Sequence, residues 1–251
     1  MAALRRIFIT GASSGLGAAL AKAYAADDVT LILCGRDQGR LEETAVECRR
    51  RGATTELCAF DLRDDRHLVQ LIRDTDESGP IDLAIFNAGV GGVTPADELT
   101  ETTERAEEIA RVNFLSPVVG ATLVGNLMAA RKRGRIVLIG SVTESIPLPM
   151  APAYAATKAG LAMFADSLEQ SLSRHGVGVT IASLGYIDTP MSRSVHSIKP
   201  FMMAADDAAA IIKVRLTRGA RRFVIPWQFA AIQTLHRLIP RALVRIIAQN
   251  V

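Results

Sequence analysis

The chain has 251 residues, of which 49% are hydrophobic and 22% are charged, and its formal net charge is +3. A net charge this small argues against nucleic acid as the main partner. The cysteines are odd in number and lack metal-ligand spacing, which indicates reduced thiols rather than a disulfide framework or a metal site. We therefore expect a cytoplasmic α/β protein with a large core, because α/β folds of this length commonly form one domain.

Strand-like and helical segments alternate along the chain. The short apolar segment Arg5–Thr10 suits a buried strand, and Leu16–Ala26 is Ala-rich with a helical pattern. Further strands are predicted at Thr30–Cys34, Thr55–Phe60, Leu83–Asn87, Arg135–Gly140, Val177–Ser183 and Phe223–Ile225. Because helical patterns separate these strands, we predict a single doubly wound, Rossmann-type domain with a parallel sheet flanked by helices. Ligands of such sheets bind beyond the carboxyl ends of the strands, so the residues after each strand are candidates for binding.

A Gly-rich turn, Thr10 to Gly17, lies between the first strand and the first helix. A strand that turns sharply into a helix points free N–H groups and the positive end of the helix dipole at one place, which suits a pyrophosphate. Gly11 and Gly15 allow a tight turn and a close backbone approach, and Gly17 allows helix and strand to pack closely. The spacing differs from G-x-G-x-x-G, so the turn alone fits a plain connection as well as a dinucleotide site.

Polar and small side chains follow the next three strands. Arg36 stands where an enzyme that prefers NAD usually has an acid, so it favours the 2′-phosphate of NADP, although the neighbouring Asp37 keeps NAD as an alternative. Asp61 and Leu62 are expected at the adenine edge, and Asn87–Gly89 offers small residues against which a nucleotide lies. A solvated loop residue at Arg36, and helix caps or turns at the other positions, are the structural alternatives.

Tyr154 and Lys158 are four residues apart, so on a helix they share one face. A phenol titrates near ~10 in water and is a poor acid–base catalyst at neutral pH unless its anion is stabilised. The Lys158 ammonium and an oxidised nicotinamide would both stabilise that anion. Ser141, thirteen residues before Tyr154 at a predicted strand end, is placed to bind a substrate oxygen. An isolated Y-x-x-x-K also fits a half-buried aromatic followed by a surface lysine, but the serine offset and the upstream turn favour catalysis.

With these motifs the chain resembles the short-chain dehydrogenase/reductase family from about Arg5 to Thr189. The resemblance implies hydride transfer between NADP(H), or alternatively NAD, and a carbonyl or alcohol carbon, in a homodimer or homotetramer. It implies catalytic roles for Ser141, Tyr154, Lys158 and Asn113, the last holding a water in a proton relay to Lys158. The implied cofactor-binding residues are Gly11, Ser13, Ser14, Gly15, Leu16, Gly17, Arg36, Asp61, Leu62, Asn87, Ala88, Gly89, Tyr154, Lys158, Ile187 and Thr189.

Two positions depart from the family pattern. Leu184 precedes Gly185 where the family often has Pro-Gly, so this loop lacks the fixed backbone angle of proline. Ser14 stands where many NADP-dependent members carry a basic residue. The preference for NADP therefore depends mainly on Arg36.

The lid region, about residues 190–204, mixes basic and large apolar side chains. Arg193, His196 and Lys199 either meet an acidic substrate group or face solvent, and we favour solvent. An adaptable apolar pocket and a helix packed on the core are alternative interpretations of Met191, Ile198, Phe201, Met202 and Met203.

The C-terminal extension, residues 226–251, follows a main domain predicted over residues 1–225. It has the pattern of a basic amphipathic helix, kinked or restarted at Pro240, with Arg237, Arg241 and Arg245 on the polar side. Contact with an anionic membrane surface, an oligomer interface and a cover over the substrate cleft remain alternatives. The apolar side consists of Leu235, Leu238, Ile239, Leu243, Ile246 and Ile247.

A second candidate for membrane contact is the uncharged segment Val112–Ala130. Its length approaches that of a membrane span, but polar residues interrupt it, so we predict a helix that packs on the sheet.

These patterns predict an NADP(H)-dependent reductase of apolar or lipid-like carbonyl compounds. The alternatives are an NAD-linked alcohol dehydrogenase that works in the oxidative direction, and a non-catalytic protein that senses a dinucleotide. A sensor would not require Ser141, Tyr154 and Lys158 together, which favours an enzyme.

Overall fold

A computed structural model of the chain describes residues 4–91, 94, 98–194 and 198–238. The strands are β1 (Arg6–Thr10), β2 (Thr30–Gly35), β3 (Thr54–Ala59), β4 (Leu83–Phe86), β5 (Gly134–Ser141), β6 (Val177–Leu184), β7 (Ile187–Asp188), β8 (Met203–Ala204) and β9 (Arg222–Ile225). The helices are α1 (Gly15–Tyr24), α2 (Gln38–Arg49), α3 (Asp65–Ser78), α4 (Thr103–Ala110), α5 (Ser116–Ala130), α6 (Pro152–Leu172), α7 (Pro190–Arg193), α8 (Ala205–Thr217) and α9 (Gln228–Leu238). A π-helical turn, Arg111–Leu115, joins α4 to α5, and a 3-10 turn, Val142–Glu144, follows β5.

Seven parallel strands form the main sheet in the order β3-β2-β1-β4-β5-β6-β9. Each strand predicted from the sequence is found within one residue at either end, and the doubly wound fold is confirmed. The strand order reverses between β1 and β4, and the crevice at such a switch point is where open α/β sheets bind ligands. The candidate site therefore lies at the carboxyl ends of these two strands.

Helices cover both faces of the sheet, which explains why its strands are almost continuously apolar. Because neighbouring side chains of a strand point to opposite faces, Ile7 and Ile9 of β1 pack in one core cluster and Phe8 in the other. The first cluster includes Leu20 of α1, and the second includes Ile72 of α3. This double coverage fixes the sheet edge that carries the candidate site.

One helix among the described residues, Thr103–Ala130, is long and apolar enough to cross a membrane, and half of its most apolar window is buried in the protein. It comprises α4, the π-helical turn and α5. Val124 and Met128 of α5 are fully buried in the core cluster that contains Phe86 of β4. The segment predicted as a buried helix therefore packs on the sheet, as the core helix of an α/β fold does.

The lid region does not form the core-packing helix that one of its two interpretations requires. Helix α7 ends at Arg193, and Met203 belongs to β8, which pairs with β7. Met203 packs against the core, whereas Ile198 is 90% exposed. A core-packing helix that includes these residues is therefore wrong, because Met203 pairs in a short strand and Ile198, Phe201 and Met202 are exposed. His196 lies outside the described residues.

The C-terminal extension is described as far as Leu238, the end of α9. Leu235 is 60% exposed, whereas Phe229 and Gln233 are buried. The face of α9 that packs against the protein therefore carries Phe229 and Gln233 rather than Leu235. The division into residues 1–225 and 226–251 stays a prediction. The positions of Ile239, Pro240, Arg241, Leu243, Arg245, Ile246 and Ile247 lie outside the described residues.

Candidate functional site

A cavity of about 660 Å³ opens at the carboxyl edge of the sheet. It brings together every predicted site residue except Gly17 and Asn113. The predicted residues that line it are Gly11, Ser13, Ser14, Gly15, Leu16, Arg36, Asp61, Leu62, Asn87, Ala88, Gly89, Ser141, Tyr154, Lys158, Ile187 and Thr189.

The Gly-rich turn forms one wall of the cavity. Gly11 and Gly15 have φ angles of +69° and +53°, in the left-handed region that favours glycine. Helix α1 begins at Gly15, and the side chain of its N-cap residue, Ser14, makes no capping hydrogen bond. The first N–H groups of the helix therefore remain available to an anion. A Cβ at Gly17 would overlap the carbonyl of Gly11, so Gly17 serves helix packing rather than the cavity surface.

Asn87 connects this turn to the end of β4. Its Nδ2 donates to the carbonyl oxygens of Thr10 and Gly11, at 3.1 and 3.3 Å. The Thr10 hydroxyl oxygen accepts from the backbone N–H groups of Asn87 and Ala88, both at 3.1 Å. These bonds hold β1 and β4 together where the strand order reverses, so the Asn87 amide supports the shape of the turn.

Two arginines stand beyond β2. Arg36 and Arg40 both line the cavity, and the Arg36 side chain is 62% exposed with Nη1 4.0 Å from Glu108. The Asp37 carboxylate accepts from the backbone N–H of Arg40 at 3.0 Å and so caps α2. Asp37 therefore caps α2 and also pairs with Arg40 Nε at 3.5 Å, while the cationic groups at this end come from Arg36 and Arg40. Sequence reasoning missed Arg40, although its spacing of four residues from Arg36 was a signal.

Asp61 lies two residues beyond the end of β3 and is hydrogen-bonded to Arg63. The Arg63 side chain donates to Asp61 Oδ2 at 2.9 Å from Nε and at 2.6 Å from Nη2. This hydrogen bonding lowers the pKa of the Asp61 carboxyl, and Arg36 contributes through its charge. Asp61 is therefore a carboxylate at neutral pH and is held in one orientation beside the cavity.

Ser141 ends β5 and is 6% exposed. Its hydroxyl oxygen accepts from the backbone N–H of Thr143 at 3.2 Å and from the Thr143 hydroxyl at 3.0 Å. A serine hydroxyl has two lone pairs and one hydrogen, so these bonds leave the hydrogen to be donated elsewhere. These two bonds from Thr143 leave Ser141 as a hydrogen-bond donor toward the cavity. Sequence reasoning missed this role of Thr143.

Tyr154 and Lys158 face the cavity from α6. Burial raises the pKa of the Tyr154 phenol, while Ser141 lowers it and Tyr186 raises it further, so the phenol keeps its proton at neutral pH. Lys158 Nζ lies 5.7 Å from the centre of the Tyr154 ring and donates to the carbonyl oxygen of Ile139 at 2.9 Å. Burial lowers the pKa of Lys158 from 10.5 to about 8, so most of it is still an ammonium at pH 7.

Asn113 lies behind the cavity wall, in the π-helical turn, and is 1% exposed. Its Oδ1 accepts from the backbone N–H of Val90 at 2.7 Å, and its Nδ2 donates to the carbonyl oxygen of Val90 at 2.8 Å. The side-chain amide therefore fixes the chain beside Gly89. Its part in a water relay stays a prediction.

The remaining end of the cavity is apolar. Of the five apolar lid residues named from the sequence, Met191 is the one that lines this cavity among the described residues, and Arg193 instead pairs with Asp188 at 2.7 Å. The described part of α9 supplies another wall through two side chains. The large apolar side chains at this end are Ile146, Leu148, Met150, Met191, Phe229 and Ile232.

No group of three or more His, Cys, Asp or Glu side chains is placed to hold a metal ion within the described ranges.

Comparisons with known proteins agree with this geometry. The short chain dehydrogenase family matches residues 5–199. An uncharacterized oxidoreductase of Myxococcus xanthus is 32% identical over 240 residues, covering 95% of this chain and 94% of the relative. A short-chain dehydrogenase from Sphingobium yanoikuyae in complex with NADPH has 26% identity and a TM-score of 0.82, covering 93% of this chain and 94% of that one. A metagenomic short-chain oxidoreductase in complex with NADP has 25% identity and a TM-score of 0.74, covering 88% and 96%. The chain belongs to the short-chain dehydrogenase family of NAD(P)-dependent oxidoreductases.

Proposed function

We propose that this protein is an NADP(H)-dependent carbonyl reductase that acts on apolar ketones or aldehydes. One observation carries the proposal: a single cavity connects the Gly-rich turn, the group of Ser141, Tyr154 and Lys158, and an apolar end without charged side chains among the described residues. The cavity thus joins an anion-binding turn, an acid–base group and an apolar binding surface.

The chain offers a fitting site for NADP(H). The free N–H groups at the start of α1 would bind the pyrophosphate. Arg36, Arg40 and the Ser13 hydroxyl would hold the 2′-phosphate. Guanidinium groups bind phosphate strongly. Ser13 Oγ lies beside Gly35 at the end of β2, directly before Arg36, because it would stand 3.2 Å from a Cβ at Gly35. The NADPH in the Sphingobium yanoikuyae relative supports this choice over NAD. When bound, the dinucleotide supplies the hydride.

The side chains around the apolar end account for the proton. Ser141 donates a hydrogen bond to the substrate oxygen, because Thr143 occupies the lone pairs of the Ser141 hydroxyl. Tyr154, which holds its proton at neutral pH, transfers that proton to the same oxygen as the carbonyl carbon is reduced to an alcohol. The Lys158 ammonium then stabilises the phenolate that remains. In the oxidative direction the Tyr154 phenolate, stabilised by Lys158, takes the proton from the alcohol.

The substrate class follows from the lining of the cavity. Within the described part of the chain, Arg36, Asp37, Arg40 and Asp61 are the charged lining residues beyond β2 and β3, and Lys158 belongs to the catalytic group. The opposite end presents methionine, aliphatic and aromatic side chains, which bind apolar groups by excluding water. A lipid-like ketone fits this surface better than a sugar or a charged acid.

The test is NADPH-dependent reduction of acetophenone and hexanophenone by the wild type and by Tyr154→Phe. We expect turnover with NADPH in preference to NADH. Loss of the general acid lowers kcat by roughly 10²- to 10⁴-fold, while the Kd of NADPH stays within about threefold. Higher kcat/KM with NAD⁺ and alcohols than with NADPH and ketones would favour the NAD-linked dehydrogenase. Dinucleotide binding without turnover of any carbonyl compound would favour the sensor.

We also propose that the protein forms a homodimer or homotetramer in the cytoplasm. Leu115 of the π-helical turn and Met163 of α6 are 38% and 68% exposed, on helices that pack together. Apolar side chains of this kind suit an interface between subunits. Sedimentation at micromolar concentration tests the oligomer. Co-flotation with anionic vesicles tests the alternative of membrane contact through residues 226–251.

A further inference from the structure

We propose that α9 sets the size of the substrate and that Gln233 positions this helix against the chain segment that follows Ser141. The inference rests on the proposed carbonyl reductase function and adds a specificity-determining wall to it. Phe229 and Ile232 form that wall, and Gln233 acts through the position of the helix rather than by touching the substrate.

Phe229 and Ile232 are three residues apart, so they lie on one side of α9, and both line the cavity. Phe229 is 6% exposed, and its ring centre lies 6.2 Å from that of Tyr186 and 5.9 Å from that of Phe201. A Cβ at Gly185 would overlap the Phe229 ring, which shows how closely α9 approaches the end of β6. Phe229 is thus fixed in the cleft, while Ile232, 42% exposed, lies at its edge.

Gln233 follows Ile232 and is 6% exposed. Its Nε2 donates to the carbonyl oxygen of Val142 at 3.1 Å, and both groups are buried. A buried amide and a buried carbonyl each need a partner, so this bond fixes the position of α9 along the Val142–Glu144 turn. Val142 itself lines the cavity directly after Ser141. The distance between the wall and the catalytic serine therefore depends on Gln233.

The other end of that turn is held independently of α9. The Glu144 side chain is 4% exposed and accepts from the Ser183 hydroxyl and from Arg222 Nη1, both at 2.7 Å. Ser183 belongs to β6 and Arg222 to β9, so the main sheet holds the turn. When the Gln233 bond is lost, the sheet keeps Ser141 in place and α9 is the element that shifts.

The experiment compares kcat/KM for hexanophenone and acetophenone with NADPH in variants of α9. Ile232→Ala widens the pocket and raises the ratio of hexanophenone to acetophenone at least tenfold, since a single methylene in an apolar pocket changes kcat/KM by roughly tenfold or more. Ile232→Trp narrows the pocket and lowers the ratio by a similar factor. Leu235→Ala is the matched control, because Leu235 is exposed on the same helix and does not line the cavity; its ratio stays within twofold.

Gln233→Met tests the positioning role with a side chain of similar size that cannot donate a hydrogen bond. We expect the KM of hexanophenone to rise at least fivefold, while kcat changes less than threefold and the Kd of NADPH is unchanged. A purely structural role would lower the active fraction, and thus kcat, without changing KM or the ratio of the two substrates. Thr234→Ala is the control, because Thr234 is the next residue of α9 and is exposed. It leaves the KM of hexanophenone, kcat and the Kd of NADPH unchanged.

Ketone binding separates this inference from the proposed function. Trp227 is the single tryptophan of the chain, is 72% exposed and directly precedes α9, so its fluorescence reports binding beside this helix. If the wild type binds hexanophenone but reduces no ketone, the proposed function fails while the wall is still tested by the Kd ratio of the two ketones. If both Ile232 variants leave the kcat/KM ratio and the Kd ratio within twofold of the wild type, α9 does not set substrate size.

Discussion

Replacing Lys158 by methionine should make the protein more stable while it abolishes turnover. Burial lowers the pKa of this lysine from 10.5 to about 8, which corresponds to about 3 kcal/mol of unfavourable free energy for holding the ammonium at neutral pH. The variant also loses the hydrogen bond from Nζ to the carbonyl oxygen of Ile139, which contributes about 1 kcal/mol. Methionine fills a similar volume, so we expect a net gain of about 2 kcal/mol at pH 7.

The sign of the pH dependence follows from the same shift. Below pH 8 both the folded and the unfolded states carry the Lys158 proton, so the wild type bears the full cost of the buried ammonium. Between pH 8 and 10.5 the folded state has released the proton while the unfolded state still binds it, so wild-type stability rises relative to the variant. The advantage of Lys158→Met should therefore shrink through this window.

Urea unfolding of the two proteins at pH 7 and pH 10 measures the effect, with thermal melts as a second measurement. For a chain of this size about 2 kcal/mol corresponds to a rise in Tm of roughly 4–8 °C. Lys22→Met is the control, because Lys22 pairs with the exposed Asp206 at the surface, where such pairs contribute less than about 1 kcal/mol. A Lys158→Met protein that is less stable at pH 7, or whose gain is the same at pH 10, would refute the reasoning.

Three further substitutions test other parts of the site. Arg36→Ala removes a charged phosphate contact, so the Kd of NADPH should rise by roughly 10- to 100-fold while the Kd of NADH changes less than threefold. Fluorescence titration measures both constants. Equal weakening of NADPH and NADH binding would contradict a 2′-phosphate contact. Ser141→Ala should lower kcat by about 10²-fold in steady-state assays with little change in the Kd of NADPH, and an unchanged kcat would exclude Ser141 from the reaction. Gly185→Ala should lower the free energy of unfolding by about 1–3 kcal/mol in urea, because the new Cβ overlaps the Phe229 ring. Adding Phe229→Leu to this variant should restore part of the lost stability. Additive losses would mean that the two residues do not touch.

The sequence was sufficient to predict the parts of the site that depend on local spacing. The Gly-rich turn is recognised within one strand–helix junction, and the pair of Tyr154 and Lys158 within one turn of a helix. The structure places both on one cavity. Ser141 could be added because parallel strands end at one edge of the sheet. The burial of both strand faces likewise produced apolar segments that mark the strands to within one residue.

The remaining features depend on contacts between distant parts of the chain. Nothing local to Gln233 indicates that its amide meets Val142, ninety-one residues earlier in the chain. Asp37 and Arg40 belong to one helix start, and the use of Asp37 as both a cap and an ion-pair partner of Arg40 depends on the backbone geometry of that start. Met203 has the apolar character of a helix or a strand, and pairing with Ile187 decides for the strand.

The most direct test of the proposed reaction follows an isotope through a single turnover. Wild type and Tyr154→Phe would each be mixed with hexanophenone and NADPH that carries deuterium at both hydrogen positions of C4 of the nicotinamide ring, and the product analysed by mass spectrometry. We predict an alcohol with deuterium on the carbinol carbon from the wild type, and a rate at least 10²-fold lower for the variant although it binds NADPH. Absence of deuterium from the carbinol carbon, or an equal rate in both proteins, would contradict hydride transfer with Tyr154 as the acid.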